Sequence, residues 1–357
     1  MTKIGISMTR RGFAGAALAA GTLGAARLAS AQKGEAELKL GIYSITYLGV
    51  WYRGAALSVE EVIDRAKRYG YQGVEIDGKR PHGNPLDMPK YRCRDLKRHA
   101  EAQGIEIYAV AGNNDFSSPI PELREAQLLY MRELIRMTAD LDAKIVRVFL
   151  AWPGVTTLPE GGARYDIAGR IWTETHREFS PERTWEWCRE ALTEVASFAG
   201  DHGITLALQN HRPVIRGYQD VLRMIKEVNS PHLKACFDAR LEHEISPQDV
   251  VRATKEFGPL QVLSHYGNEF TEANGKIVPK EDELAPAQVQ GLLDIGYKGY
   301  LGFELCHPLP RVDGRLVDIE FADQNARLAA QYARELVAAA IKQRLAVAAS
   351  GILRLET

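Results

Sequence analysis

Four polar side chains stand at the ends of short apolar segments in the second half of the chain. The segments are LALQ, ACFD, VLSH and LGFE, and their last residues are Gln209, Asp238, His265 and Glu304. Amide and carboxylate oxygens, together with an imidazole nitrogen, suit a hard or borderline divalent cation that keeps positions open for a substrate. The pattern therefore predicts one metal site with these four ligands, compatible with manganese, magnesium, cobalt or zinc.

Short apolar, β-branched segments alternate with longer segments of helical periodicity along the chain. The predicted strands span residues 39–44, 73–76, 106–111, 145–150, 205–209, 233–238, 261–265 and 299–304. The predicted helices span residues 58–70, 90–103, 121–142, 182–202, 217–229, 246–256, 285–296 and 318–345. Eight strand-then-helix units predict an α/β fold, a single-domain (β/α)₈ TIM barrel, which needs about 250 residues plus insertions.

An open doubly wound sheet is the alternative architecture. Such a sheet usually carries a glycine-rich phosphate turn after its first strand, and the residues YSIT that end and follow the first predicted strand do not form one. In a closed barrel, active sites lie at the carboxyl ends of the strands. The barrel prediction therefore brings the four polar residues together at one mouth.

Two further features belong to this mouth. His211 lies two residues beyond Gln209 and projects to the same side if the backbone stays extended. It is a candidate for proton transfer, or for a hydrogen bond to a substrate. The longest segment without a predicted element, residues 151–180, follows the fourth strand and is either a lid over the mouth or a decorative loop.

The amino-terminal residues have the order of an export signal. Arg10-Arg11 precede an apolar, alanine- and glycine-rich stretch, and Ala29-Ser30-Ala31 offers a cleavage site. We expect residues 1–31 to be a signal for the twin-arginine export machinery and residues 32–357 to be the barrel domain with its C-terminal helix. An uncleaved membrane anchor or a helical arm are the alternatives. Export predicts a mature protein in the periplasm or outside the cell, without a stable membrane anchor.

The composition excludes some partners. The chain of 357 residues is 45% apolar and 25% charged, with a formal net charge of −1. Removal of residues 1–31, which carry basic but no acidic side chains, makes the remainder more negative. Nucleic-acid affinity depends mainly on basic contacts to phosphates, so nucleic acid is not an expected partner. The four cysteines include no C-x-x-C pair of the kind that indicates a zinc cluster or a redox motif.

Several motifs, in their order and spacing, resemble the xylose isomerase-like TIM barrels, in the branch known as the sugar phosphate isomerase/epimerase family. The resemblance runs from Leu38 to about Ile341 and includes GYQGVEI, LALQNH, LKACFDA, VLSHYG and GYLGFEL. In that family the corresponding strand ends supply Glu, Asp, His and Glu to one divalent metal, for which we expect manganese first. This chain matches at Asp238, His265 and Glu304, and it has Gln209 where the family has glutamate.

The resemblance implies a metal-dependent, sugar-active enzyme. Its carboxylate Glu304 is expected to remove a proton from the carbon beside the carbonyl of a keto-sugar or keto-glycoside. Isomerisation, epimerisation or β-elimination can follow from the resulting enediolate. The keto-sugar epimerases of the family use two glutamates on opposite faces of the substrate, and the amide of Gln209 cannot act as a base. His211 is the residue that could replace the missing glutamate.

The resemblance also implies a small-molecule partner, which is a neutral sugar or glycoside if the protein is exported. Expected contacts to its hydroxyl groups are Glu75, His82, Asn210 and His307. A non-catalytic sugar-binding barrel is one alternative function, since one family ligand is altered. A metal-dependent phosphoesterase is the other, although such enzymes bind a metal cluster through more histidine and acidic ligands than this chain offers at its strand ends.

Overall fold

Eight short parallel strands pair edge to edge and close into a barrel in the computed structural model, which describes residues 38–159, 161–281 and 284–355. The strands are β1 (Lys39–Tyr43), β2 (Gly73–Asp77), β3 (Glu106–Ala111), β4 (Ile145–Val148), β5 (Thr205–Gln209), β6 (Leu233–Cys236), β7 (Gln261–Tyr266) and β8 (Tyr300–Phe303). Strand β1 pairs with both β2 and β8, and this last pairing closes the barrel. The predicted TIM barrel is confirmed.

Helices connect the strands around the outside of the barrel. They are α1 (Val59–Tyr69), α2 (Lys90–Gln103), α3 (Pro121–Asp140), α4 (Asp166–His176), α5 (Pro181–Asp201), α6 (Tyr218–Val228), α7 (Pro247–Phe257), α8 (Ala285–Asp294) and α9 (Ile319–Leu355). Local sequence decides several of their ends. Ser58 and Glu61 form a reciprocal capping box at the start of α1. Gly70 ends that helix with φ at 80°, a left-handed conformation that glycine takes without strain.

The segment predicted to be irregular, residues 151–180, contains regular structure. A two-stranded hairpin pairs Thr156–Thr157 with Ala163–Arg164, and helix α4 follows it. Helix α4 was not predicted, because it lacks a side-chain cap at its start and contains a glycine. Trp172 and His176 of this helix hydrogen-bond to Ser117 in the loop after β3, at 2.8 and 2.9 Å. These bonds fasten the segment to a loop at the mouth of the barrel.

Two strands end before the polar residue that was predicted to close them. Strand β6 ends two residues before Asp238, and β8 ends one residue before Glu304. The backbone N–H of Asp238 donates instead to the side-chain oxygen of Asn210, at 3.0 Å. Gln209 and His265 lie within their strands, and Asp238 and Glu304 follow within two residues of theirs. All four residues therefore stand at the mouth.

The interior below the mouth is filled by two stacked tyrosines. The rings of Tyr108 and Tyr300 lie parallel with their centres 4.1 Å apart. A Cβ atom at Gly302 would lie 2.8 Å both from Cδ2 of His265 and from the hydroxyl oxygen of Tyr108. Glycine is therefore required where β8 passes the His265 imidazole and the Tyr108 hydroxyl. This dense packing gives the mouth a floor that resists rearrangement.

The described residues form one compact unit that begins at Leu38. No helix among them is long and apolar enough to cross a membrane. The predicted export signal at residues 1–31, and the domain boundary after it, lie outside the described residues.

Candidate active site

Asp238 and His265 form the centre of the mouth. Oδ2 of Asp238 lies 3.1 Å from Nδ1 of His265, and Oδ1 accepts a hydrogen bond from the backbone N–H of His265 at 2.5 Å. The thiol of Cys236 lies 3.5 Å from the same Nδ1. Among the described residues, these three offer ligand atoms within 4.8 Å of one another, which is close enough to share one metal ion.

Glu75 holds the other side of the His265 imidazole. Its Oε2 lies 2.5 Å from Nε2 of His265, and its Oε1 accepts a hydrogen bond from Nε of Arg147 at 2.7 Å. A carboxylate behind a histidine, orienting its other ring nitrogen, is the usual arrangement around metal-binding histidines. The side chain of Glu75 is 0% exposed and both of its oxygens are bonded beneath the mouth. Its contact to a sugar stays a prediction.

The charged side chains of Asp238, His265 and Glu75 shift the pKa values of their neighbours. Burial alone would lower the pKa of His265, but the carboxylates of Asp238 and Glu75 raise it well above its ordinary value. Burial would likewise raise the pKa of Asp238, yet the neighbouring imidazole keeps that pKa lowered. The two carboxylates therefore favour a positive charge between them.

Glu304 stands at the rim of the group. Its side chain is half-buried, and none of the described groups hydrogen-bonds to its carboxylate. Burial raises the pKa of Glu304 above its ordinary value, although His265 and Arg147 oppose the shift. A raised pKa brings a carboxylate closer to the range in which general bases work best. The oxygens of Glu304 are therefore free for a metal, a substrate proton, or both.

The side-chain oxygen of Gln209 faces Arg147, and not Asp238 and His265. Its Oε1 accepts a hydrogen bond from Nη1 of Arg147 at 2.9 Å, and its Nε2 donates to Oδ2 of Asp238. Turning the amide over would place donor against donor and acceptor against acceptor. In this arrangement Arg147 occupies the amide oxygen, and the part of Gln209 as a metal ligand stays a prediction.

Arg147 is the central residue that sequence reasoning missed. It lies in β4, is 3% exposed, and joins Glu75 to Gln209. Its guanidinium lies 4.4 Å from the centre of the Tyr43 ring, and its Nη2 has no hydrogen-bond partner among the described residues. A signal was present in the sequence. An arginine inside the apolar strand IVRV needs a buried partner.

His211 faces the mouth as a hydrogen-bond acceptor. Its Nδ1 donates to the carbonyl oxygen of Arg212 at 2.6 Å, and the ring packs edge-on against Phe149 and Trp152. Burial lowers the pKa of His211 to about 4. The neutral ring then carries an unprotonated Nε2, which can accept a proton or a hydrogen bond but cannot act as an acid. Its part in proton transfer stays a prediction.

Two further predicted sugar contacts are engaged in structural bonds. The ring nitrogens of buried His82 bond to Ser44 Oγ and to the carbonyl of Leu57, at 2.9 and 3.0 Å. The buried amide of Asn210 bonds to both the N–H and the carbonyl of Asp238. Each side chain turns back into the protein, which spacing along the chain cannot show. Their contacts to a sugar stay predictions.

Two cavities open at the mouth, on either side of Glu304. The first, of about 360 Å³, is mostly apolar and is called here the apolar cavity; its walls include Ile45, Phe149, Trp152, Tyr165, Pro213 and Leu241. The second, of about 400 Å³, is called the polar cavity; its walls include Asp238, Arg240, His265, Glu269, Lys280 and His307. Trp152 and Tyr165 come from the segment 151–180, which therefore lies over the mouth as a lid. His307 is the one predicted sugar contact that faces a cavity.

Replacing Arg147 with methionine should destabilise the fold strongly. The substitution leaves the fully buried carboxylate of Glu75 without its cation, and breaking a buried ion pair in this way costs about 3–5 kcal/mol. Denaturant unfolding followed by circular dichroism measures the loss. The double variant Arg147→Met/Glu75→Gln should recover a large part of it.

Arg53→Met is the matched control, since Arg53 lies 3.5 Å from Asp318 in a pair that is exposed to water. Exposed pairs contribute little, so this variant should unfold almost like the wild type. Equal losses for Arg53→Met and Arg147→Met would contradict the role given to the buried network.

The fold and the mouth define a class of protein, namely a TIM barrel whose strand ends bring an aspartate, a histidine and a cysteine together beside a free carboxylate. Comparison with known sequences gives the family. The profile of the xylose isomerase-like TIM barrels matches residues 63–325. The chain belongs to that family, as its motifs predicted.

Curated relatives of this chain are sugar isomerases and epimerases. The xylose isomerase of Thermus thermophilus is 26% identical over 153 residues, which make up 40% of this chain and 35% of that enzyme. The fructoselysine 3-epimerase of Shigella flexneri is 21% identical over 259 residues, 70% of this chain and 86% of that protein. These relatives support an enzyme of the same general kind.

Solved structures with the same fold include two epimerases. The D-psicose 3-epimerase of Clostridium cellulolyticum H10, solved with D-tagatose, aligns with a TM-score of 0.62 at 21% identity, covering 84% of this chain and 99% of that one. The 3-keto-D-glucoside 4-epimerase of E. coli aligns with a TM-score of 0.60 at 18% identity, covering 84% and 100%. At this level of identity the likeness supports the barrel fold.

Proposed function

We propose that this chain is a divalent-metal-dependent enzyme that removes a proton from the carbon beside the carbonyl of a keto-sugar or keto-glycoside, using one carboxylate base. The observation that carries the proposal is the position of Glu304. Its carboxylate is free of hydrogen bonds to the described residues, borders both cavities, and stands beside Asp238 and His265. The sugar isomerases and epimerases among its relatives support the same class of substrate.

The donor set fits a metal ion. Nδ1 of His265 is turned toward Asp238 by the Glu75 carboxylate behind the ring, and Glu304 adds a second carboxylate at the rim. Three protein ligands with open positions are typical of catalytic sites. Two carboxylates with one imidazole suit manganese first, whereas the thiol of Cys236 would favour a softer metal. A divalent metal held there would polarise neighbouring substrate oxygens and so acidify the adjacent C–H bond.

The remaining residues of the mouth bind the substrate and hold Asp238 in place. Glu304 takes the proton from carbon, while the unprotonated Nε2 of His211 accepts a hydrogen bond from a substrate hydroxyl. Arg147 and Gln209 hold Asp238 in place through the chain of bonds that ends at its Oδ2. Trp152 covers the substrate and keeps bulk water from the carbon that loses its proton.

A single base limits the outcome of the reaction. Gln209 occupies the position of the second family glutamate, and its amide can neither take nor return a proton. We therefore infer that the enediolate leads to isomerisation or to β-elimination from a keto-glycoside, rather than to two-base C3 epimerisation of a free ketose.

A proton-exchange screen of ketoses and keto-glycosides in D₂O tests the proposal, with metal analysis of the same preparation. A metal-dependent uptake of deuterium at the carbon beside the carbonyl is the expected result. A non-catalytic sugar-binding barrel, the alternative that the altered Gln209 leaves open, would bind such sugars with no exchange on any of them.

We further propose that the protein is exported by the twin-arginine pathway, since Arg10-Arg11, the following apolar stretch and Ala29-Ser30-Ala31 stand in the order of such a signal. Replacing both arginines with lysine should leave the precursor in the cytoplasm, while the wild type is recovered from the periplasm with its first residue at Gln32. Fractionation followed by amino-terminal sequencing measures both. An unchanged periplasmic yield would argue against this route.

A further inference from the structure

Glu304 lies between two cavities of opposite character. The polar cavity carries carboxylate, ammonium, guanidinium and imidazole groups, whereas the apolar cavity is walled largely by aromatic and aliphatic side chains. A sugar ring needs hydrogen-bonding partners around its edge, and the polar cavity offers more of them. Because the cavities meet at Glu304, one ligand can occupy both with its reacting carbon beside that carboxylate.

We propose that the apolar cavity is an aglycone subsite, which takes the aromatic ring of a keto-glycoside while the keto-sugar occupies the polar cavity. The inference rests on the proposed function and adds its substrate class, the aryl keto-glycosides. The volume of about 360 Å³ lies within the range of small-molecule sites. The occupant of the apolar cavity is thus the aryl group of the molecule whose sugar occupies the polar cavity.

Trp152 is the main wall of this subsite. Its indole is half-buried, and its ring centre lies 4.8 Å from that of His211 and 5.9 Å from that of Tyr165, both in edge-on contact. Neighbouring Phe149 is 2% exposed and lies behind it. Aromatic rings packed in this manner attract a further flat ring beyond the apolar area that it buries. The wall is therefore suited to an aryl group.

The charged groups of the apolar cavity favour a phenolic leaving group. Among its described lining residues, Glu304 is the only carboxylate, and His211 presents an unprotonated nitrogen. The Lys79 ammonium lies 5.4 Å from the centre of the Trp152 ring and 3.9 Å from Asp77. A phenol has a pKa of about 10, as tyrosine does, whereas the pKa of an alkyl alcohol lies far higher. Such a site can stabilise a departing phenolate, but it offers no second carboxylic acid to protonate an alkoxide.

The corresponding step is a β-elimination from the 3-keto form of the glycoside. Glu304 takes the proton from C2, and the electron pair of that C–H bond becomes the C1=C2 double bond. The C1–O bond breaks, and its electron pair goes to the aglycone oxygen. The resulting phenolate pairs with the Lys79 ammonium and then takes a proton from water, while Glu304 returns its proton to solvent. No oxidant is consumed, because the substrate already carries the keto group.

Calorimetric binding of phenyl and methyl 3-keto-glucosides to the metal-loaded Glu304→Gln variant tests the subsite without turnover. The phenyl compound should bind about tenfold more tightly or better, because its ring is removed from water. Adding Trp152→Ala should abolish that preference and leave the methyl compound unchanged. Trp152→Phe, which retains a ring, should keep most of it.

Equal weakening of both compounds by Trp152→Ala would overturn the inference, since Trp152 would then stack on the sugar. So would equal affinity of both compounds for Glu304→Gln itself. If Trp152→Ala does not fold, competition with free phenol on the metal-loaded Glu304→Gln variant decides. Phenol should be displaced by the phenyl compound and not by the methyl compound, and the opposite pattern refutes the subsite.

Failure of the proposed function gives a different pattern. A preference for the phenyl compound in binding, together with neither deuterium exchange nor aglycone release by the wild type on either compound, would retain the subsite and reject the enzyme. Exchange without any aryl preference would retain the enzyme and reject the subsite.

Discussion

Glu304→Gln should lower the rate of deuterium exchange at the substrate carbon by about 10²- to 10⁴-fold, the usual contribution of a general base. The amide keeps the size of the side chain and can still offer an oxygen, but it cannot take a proton. The rate is measured by proton nuclear magnetic resonance in D₂O with the metal-loaded variant. Because the carboxylate has no hydrogen bond to the described residues, the fold should be little changed.

Glu269→Gln is the matched control for this variant. Glu269 also lines the polar cavity, 3.2 Å from Nε2 of His307, but it does not border the apolar cavity. Its substitution should weaken substrate binding more than it slows exchange at saturation. If Glu304→Gln kept the exchange rate of the wild type, another residue would have to be the base.

His265→Ala and Asp238→Ala should each abolish stoichiometric metal binding. Each substitution removes one of the three proposed ligands and leaves the partner carboxylate or imidazole unpaired in a buried site. Inductively coupled plasma mass spectrometry on protein purified with added manganese measures the metal content, and circular dichroism checks the fold. Glu75→Gln removes only the group behind His265 and should reduce metal affinity by about 10- to 100-fold.

His307→Ala is the control for loss of a histidine from the same cavity. His307 bonds to Glu269 and stands apart from the proposed ligands, so its variant should keep the metal. Full metal content in both His265→Ala and Asp238→Ala would mean that the metal lies elsewhere.

The positions of Asp238, His265 and Glu304 at the mouth followed from the sequence because barrel topology places every strand end at one edge. The bonds between strands could not be predicted in this way. Gln209 and Arg147 are 62 residues apart along the chain, and only the closed barrel shows that the guanidinium meets the amide oxygen. For the same reason the sequence could not show that Glu75 lies behind His265.

The sequence pattern also could not show that the side chains of His82 and Asn210 turn into the protein. Both follow strands in the order expected of substrate contacts, but each bonds to backbone groups that neighbouring loops supply. Helix α4 was missed because its start carries no cap. A lid was one of the two alternatives predicted for residues 151–180, because an insertion after β4 begins at the mouth.

The central claim is that one carboxylate at this mouth exchanges protons with carbon. The most direct measurement is the stereochemistry of deuterium uptake when the wild-type protein acts on ketoses and keto-glycosides in D₂O. Deuterium entering from one face of the enediolate, or loss of the C2 proton with release of the anomeric substituent, is the predicted result. Efficient C3 epimerisation of a free ketose, with deuterium entering on both faces, would contradict it.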